Sequence, residues 1–198
     1  MFFPFDNVII SMICEESETR ICHFCVALLK KVLCSMRRSM KAIIIYYSLN
    51  GNTQYVAEKI SSQTGADVLR LIPDKEPPKT GPGKFFFGGK AAMFGEKVRL
   101  QDINVSFEHY DTVIIGAPVW AGTYPPAIAT FLRENSFKKK ALFVFSCSSS
   151  GNGKPMIDKI VKNTSGNRLA ATESLLDPLT HKEEDKKIDH FCQLIIEK

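Results

Sequence analysis

Ala42-Ile43-Ile44-Ile45-Tyr46-Tyr47, followed at once by Ser48-Leu49-Asn50-Gly51-Asn52-Thr53, is an apolar, β-branched and aromatic run that ends in a small polar turn. An unbroken run of this length suits a strand buried on both faces, because a half-exposed strand or an amphipathic helix would show polar residues at its own period. Beyond the turn, Val56, Ala57 and Ile60 fall at helical spacing over Thr53–Ser62, and Gly65 offers the left-handed conformation that closes a helix. Asp67–Ile72 then reads as a second strand, so the unit is strand, helix, strand.

Working outward, the alternation persists. Thr112–Ala117 is a third buried strand, and Pro125-Pro126 opens a helix to about Glu134. Ala141–Ser146 is a fourth strand and Pro155–Lys162 the next helix. Arg168–Leu176 is less apolar and reads as an edge strand. His181–Lys198 gives a last helix with Ile188, Phe191, Cys192 and Ile195 on one face. Strands alternating with helices predict an α/β fold, a parallel sheet covered on both sides.

Two segments stand outside this rhythm. Residues 73–110 form a long connection punctuated by Pro77-Pro78, Gly81-Pro82-Gly83 and Gly88-Gly89 around Phe85-Phe86-Phe87. Three adjacent Phe are costly to expose, so this connection is expected to fold back onto the body. Residues 1–39 show no sustained period and read as an appendage to a domain over 40–198. Cys22-His23-Phe24-Cys25, with Cys14 and Cys34, is half of a zinc pattern, but no second close pair follows, and no metal ligand is assigned. Alternatively, Arg20–Met36 is a short helix, or the natural start is Met40.

Composition bounds the function. With 198 residues, 44% hydrophobic and 24% charged, the chain has the profile of a globular protein, not of a disordered, fibrous or disulfide-dense one. No apolar stretch approaches the roughly 18 residues of a membrane helix, the nearest, Phe24–Leu29, stopping at Lys30 and Lys31. Asp6 comes early and no basic residue precedes the first apolar residues, so a signal peptide is not expected and a cytoplasmic location is. The net charge of +5 is spread out, with Lys138–Lys140 as one basic run, which points away from nucleic acid. In that setting the cysteines are expected as thiols.

Parallel sheets bind ligands beyond the carboxyl ends of their strands, which directs attention to three loops. Ser48-Leu49-Asn50-Gly51-Asn52-Thr53 joins a buried strand to a helix and supplies backbone N–H groups, hydroxyls and a helix N-terminus, the makings of a phosphate cradle. It contains no lysine, so it is not the triphosphate-binding loop, and a monophosphate suits it better. Pro118-Val119-Trp120-Ala121-Gly122-Thr123 carries the single Trp, a surface for a flat ring unless the indole packs under the following helix. Cys147-Ser148-Ser149-Ser150-Gly151-Asn152-Gly153 is small and polar, able to bring backbone donors to a ligand edge. A cysteine phosphatase loop is excluded there, because its C-x5-R pattern needs Arg where Gly153 stands.

Ile43–Ile60 together with Tyr110–Leu132 resembles the flavodoxin family. The family's phosphate loop, [ST]-x-[ST]-G-[NT]-T, is matched by Ser48 to Thr53 with Asn50 as the departure, and Tyr110–Gly122 is similar to its flavin-flanking strand and loop. The resemblance implies a doubly wound five-stranded parallel sheet in the order 2-1-3-4-5 and FMN as cofactor, the chemistry residing on the flavin. It places Ser48, Leu49, Asn50, Gly51, Asn52 and Thr53 at the phosphate, with Ser48, Asn50, Asn52 and Thr53 holding it. Pro118, Val119, Trp120, Ala121, Gly122 and Thr123 fall beside the ring, and Cys147, Ser148, Ser149, Gly151 and Gly153 near the pyrimidine edge. Gly122 is the candidate for backbone adjustment there.

Two departures shape the functional expectation. The third loop has no aromatic residue from Ser146 to Lys154, where many flavodoxins stack a Tyr, and residues 41–198 carry more basic than acidic side chains, whereas carrier flavodoxins are usually acidic. The first expectation is electron transfer by FMN moving among its redox states, with a redox partner protein. The second is an NAD(P)H-dependent FMN oxidoreductase reducing quinones or similar acceptors, the basic surplus suiting an anionic dinucleotide.

Overall fold

Five parallel strands form one sheet in the order β2-β1-β3-β4-β5. The structure is a computed structural model that describes residues 41–76 and 98–198. In chain order the elements are β1 (Ala42–Tyr46), α1 (Asn52–Thr64), β2 (Asp67–Arg70), β3 (Thr112–Pro118), α2 (Pro126–Glu134), β4 (Ala141–Ser148), α3 (Lys154–Asn163), β5 (Arg168–Leu176) and α4 (Asp185–Ile196). One-turn 3-10 helices lie at Phe107–His109 and Lys182–Glu184. The strand order reverses between β1 and β3, and that reversal positions a ligand site at the carboxyl ends of these two strands.

The apolar run of β1 is central, paired with β2 on one side and β3 on the other, as in Ile44 with Val68 and Ile114. Alternate residues feed two cores. Ile43, Ile45 and Tyr47 join Val113, Ile115, Leu142 and Val144 against Ile128 and Phe131 of α2 and Met156 and Ile160 of α3. Ala42, Ile44 and Tyr46 face Val56 and Ile60 of α1 and Ile188, Phe191 and Ile195 of α4 on the opposite side. Burial on both faces therefore explains why β1, β3 and β4 show no polar alternation. The edge strands are half covered, leaving Val68 and Leu169 exposed.

Element ends differ from the sequence reading where pairing or caps intervene. β4 runs two residues past Ser146, because Cys147 and Ser148 continue to pair with Leu175 and Leu176 of β5. The last helix begins at Asp185, not His181, because Glu184 turns inward and its carboxylate accepts the Leu176 N–H at 3.1 Å. β2 stops at Arg70, after which the chain pairs antiparallel: the Asp74 N–H reaches the Arg99 carbonyl and the Gln101 N–H the Ile72 carbonyl, both at 2.9 Å. The long connection is thus tied together at its two ends, and Val98, Leu100, Ile103 and Val105 pack on the α2/α3 core. The readings of Phe85–Phe87, of the Cys14–Cys34 region and of residues 1–39 fall outside the described residues.

Candidate functional site

A cleft of about 520 Å³ opens at the carboxyl end of the sheet and brings the three loops together. That volume lies within the usual range for small-molecule sites. Ser48, Leu49, Asn50, Asn52 and Thr53 line it from the first loop, Pro118, Val119, Trp120 and Ala121 from the second, and Cys147, Ser148 and Ser149 from the third. Gly51, Gly122, Thr123, Gly151 and Gly153, expected among the site residues, shape these loops but do not line the cleft.

In the first loop, Gly51 takes a φ of +95°, the left-handed backbone its neighbours would resist, and its N–H donates to Ser48 Oγ at 3.1 Å. This closes the turn while leaving the Ser48 hydroxyl proton free to donate. With Gly51 in the capping position, α1 has no side-chain cap and no acidic residue in its first turn. Its leading N–H groups, which a helix cannot satisfy internally, are therefore directed at the cleft with the positive end of the helix dipole. Thr53 adds a buried hydroxyl that no nitrogen or oxygen of the described residues satisfies, with only the weakly hydrogen-bonding Cys147 thiol beside it. Burial pushes that thiol up to about 12, so it stays protonated and serves as an apolar floor.

The second loop turns sharply. Trp120 and Thr123 exchange backbone hydrogen bonds at 2.8 and 2.9 Å across Ala121 and Gly122, whose φ angles are +48° and +73°. Trp120 is half-buried, and its ring meets Tyr47 edge to face with centroids 5.6 Å apart. It therefore stands in the cleft wall, not beneath α2, with Tyr47 as its support. Burial also pushes the Tyr47 phenol upward. The turn is pinned to α3 by Lys159 Nζ donating to Thr123 Oγ1 at 3.0 Å and Asn163 Nδ2 donating to the Tyr124 hydroxyl.

The third loop begins as strand, so Cys147 and Ser148 present strand backbone and only Ser149–Gly153 is loop. A residue the sequence reading passed over, Asp177, completes the lining. It follows β5 at the same end of the sheet, and the Asp177-Pro178 pair after an edge strand was the available signal. Arg70, also passed over, directs Nη2 at the Ser48 carbonyl at 3.4 Å and brings a cation to the first loop.

A doubly wound parallel sheet in this order, with its cleft at the switch point, defines the flavodoxin-like class of fold. The comparisons agree: a flavodoxin family model matches residues 94–189. A candidate flavoprotein from Bacteroides eggerthii is similar at a TM-score of 0.64 and 21% identity, over 78% of this chain and 97% of its own. A flavoprotein from Lactobacillus acidophilus in complex with FMN is similar at 0.57 and 22%, over 76% and 99%. An NADH:FMN oxidoreductase in its apo form is similar at 0.51 and 13%, over 79% and 89%. No curated protein matches the chain. This chain is flavodoxin-like in fold and, over the matched residues, in sequence.

Proposed function

We propose that the cleft binds FMN and that the chain is a flavodoxin-like electron-transfer protein acting in the cytoplasm with a redox partner protein. The observation that carries the reading is the Thr53 hydroxyl, buried with no nitrogen or oxygen partner among the described residues, beside an uncapped helix N-terminus in the cleft that Trp120 also lines. A buried unpaired hydroxyl costs free energy, and a phosphate oxygen repays it. Bound FMN supplies a ring that takes up and releases one or two electrons.

The chain's own residues do the rest. Ser48, Asn50 and Thr53, with the N–H groups of Asn50, Asn52 and Thr53, hold the phosphate. Trp120, braced by Tyr47, lies against the ring. Ser148 and Ser149 offer donors to its polar edge, and the Cys147 thiol keeps water from beneath it. No helix among the described residues is long and apolar enough to cross a membrane.

The purified protein should carry a flavin absorbance spectrum, and the flavin released on denaturation should be FMN. FAD as the sole bound flavin would overturn the reading. Because the single Trp stands in the cleft, FMN titrated into stripped protein should quench its fluorescence. Every described cleft residue lies after Met40, so a chain lacking residues 1–39 should bind FMN with unchanged affinity; a large loss would make that segment part of the site.

One observation favours a second reading, an NAD(P)H-dependent FMN oxidoreductase reducing quinones or similar acceptors. Ser149 and Ser150 leave the third loop exposed and free of aromatic rings, which suits access by a second substrate. Stopped-flow absorbance separates the two. On the carrier reading NADPH alone leaves the flavin oxidised and a reductase protein is needed; rapid bleaching by NADPH alone would select the enzyme.

A further inference from the structure

We propose that the Asn52 side chain is a positioning residue that straps the 177–180 turn across the cleft, and not a ligand of the phosphate. The proposal rests on the FMN reading only for its flavin measurements. The sequence pattern places Asn52 among the phosphate-loop residues, yet its carboxamide is engaged at both ends by a segment more than a hundred residues away. Its Nδ2 donates to Asp177 Oδ1 at 3.2 Å, and its Oδ1 accepts the Leu179 N–H at 2.9 Å. The orientation is fixed by chemistry, since a carboxylate can only accept and a backbone N–H can only donate.

The turn it holds needs holding. Asp177 has a φ of +32°, a backbone that a non-glycine residue adopts at a cost. Its N–H donates to the Ser148 carbonyl at 3.1 Å, and its own carbonyl accepts the Thr180 and His181 N–H groups at 2.9 and 3.1 Å. The turn is therefore bonded to the end of β4 through Ser148 and to the start of α1 through Asn52, joining two walls of the cleft whose chain segments are remote. Leu179 closes over Gly51, where an added Cβ would come within 3.2 Å of its Cδ1. Leu179 is otherwise exposed at 42%, so its amide is protected chiefly by the Asn52 bond. The remaining Nδ2 proton is the one group the Asn52 side chain has left to offer a ligand.

Hydrogen exchange in flavin-free full-length protein, with parallel titrations of FMN and riboflavin, tests this. Asn52→Ala should speed exchange at the Leu179 amide. It should also weaken both flavins by the same factor, about three- to ten-fold, the worth of one ordinary hydrogen bond. Asn52→Asp should be at least as harmful, because it faces the Asp177 carboxylate. Adding Asp177→Asn to it inverts the pair, donor again facing acceptor, and should restore Leu179 protection and riboflavin affinity. Loss of FMN affinity with riboflavin unchanged in Asn52→Ala would make the side chain a phosphate ligand and overturn the proposal. So would unchanged exchange at Leu179. If the wild-type protein bound neither flavin, the functional reading would fail while the exchange result still decided the strap.

Discussion

Thr53→Val should lower FMN affinity roughly ten- to a hundred-fold while leaving riboflavin binding nearly unchanged and the flavin-free protein no less stable. The substitution keeps the branched shape and replaces the hydroxyl by a methyl. In the flavin-free fold that hydroxyl is buried with no nitrogen or oxygen partner among the described residues and only the weak Cys147 thiol beside it, so losing it removes a desolvation cost. In the complex the same hydroxyl would donate to a charged oxygen, a bond worth about 1.5–3 kcal/mol. Stability and affinity should therefore move in opposite directions, which no general loosening of the fold would produce.

A helix-capping role would predict otherwise, since loss of a cap costs about 1 kcal/mol of stability and affects both ligands alike. The geometry already argues against that role, because Gly51 occupies the capping position and Thr53 lies inside the first turn. Calorimetric titration of both flavins, with thermal melts of the stripped protein, checks the prediction. Equal losses for FMN and riboflavin would remove the phosphate from the first loop.

How much of this was legible in the sequence follows from the range of the interactions concerned. β1, β3 and β4 were readable because burial on both faces leaves no alternating row of polar residues, and the loop after β1 because a strand, a glycine turn and a helix start are contiguous. The strap was not readable. Asn52 and Asp177 meet only because the sheet sets β1 and β5 in parallel through β3 and β4, and the local pattern assigns Asn52 to the ligand. Tyr47 shows the same limit, read as the end of a strand when it also braces Trp120. The start of α4 was misplaced by four residues because a charged run, Lys182-Glu183-Glu184, looks helical while one of its carboxylates is spent on the Leu176 N–H.

Gly153 is the position where ligand contact and packing were hardest to separate, and it yields the second large effect. The expectation placed it at the pyrimidine edge, but it is buried where α3 begins, against the end of β4. Its φ of −106° is open to any residue, so conformational freedom does not explain it. Space does: an added Cβ would stand 1.7 Å from Ser146 Oγ and 2.4 Å from Ser146 Cβ. Ser146 cannot swing away, being wholly buried and bonded through Oγ to Ser174 at 3.2 Å. In Gly153→Ala the start of α3 must lift from the sheet, which should cost about 1–3 kcal/mol or more and lower the melting temperature by several degrees. Because Ser149–Asn152 lies directly before the displaced turn, FMN and riboflavin should weaken together, the opposite of the pattern expected for Thr53→Val. Ser146→Gly removes both clashing atoms, so the double variant should melt well above the sum of the two single losses. A Gly153→Ala protein as stable as wild type would show that the helix start yields freely, and would return Gly153 to the candidates for direct contact with the flavin.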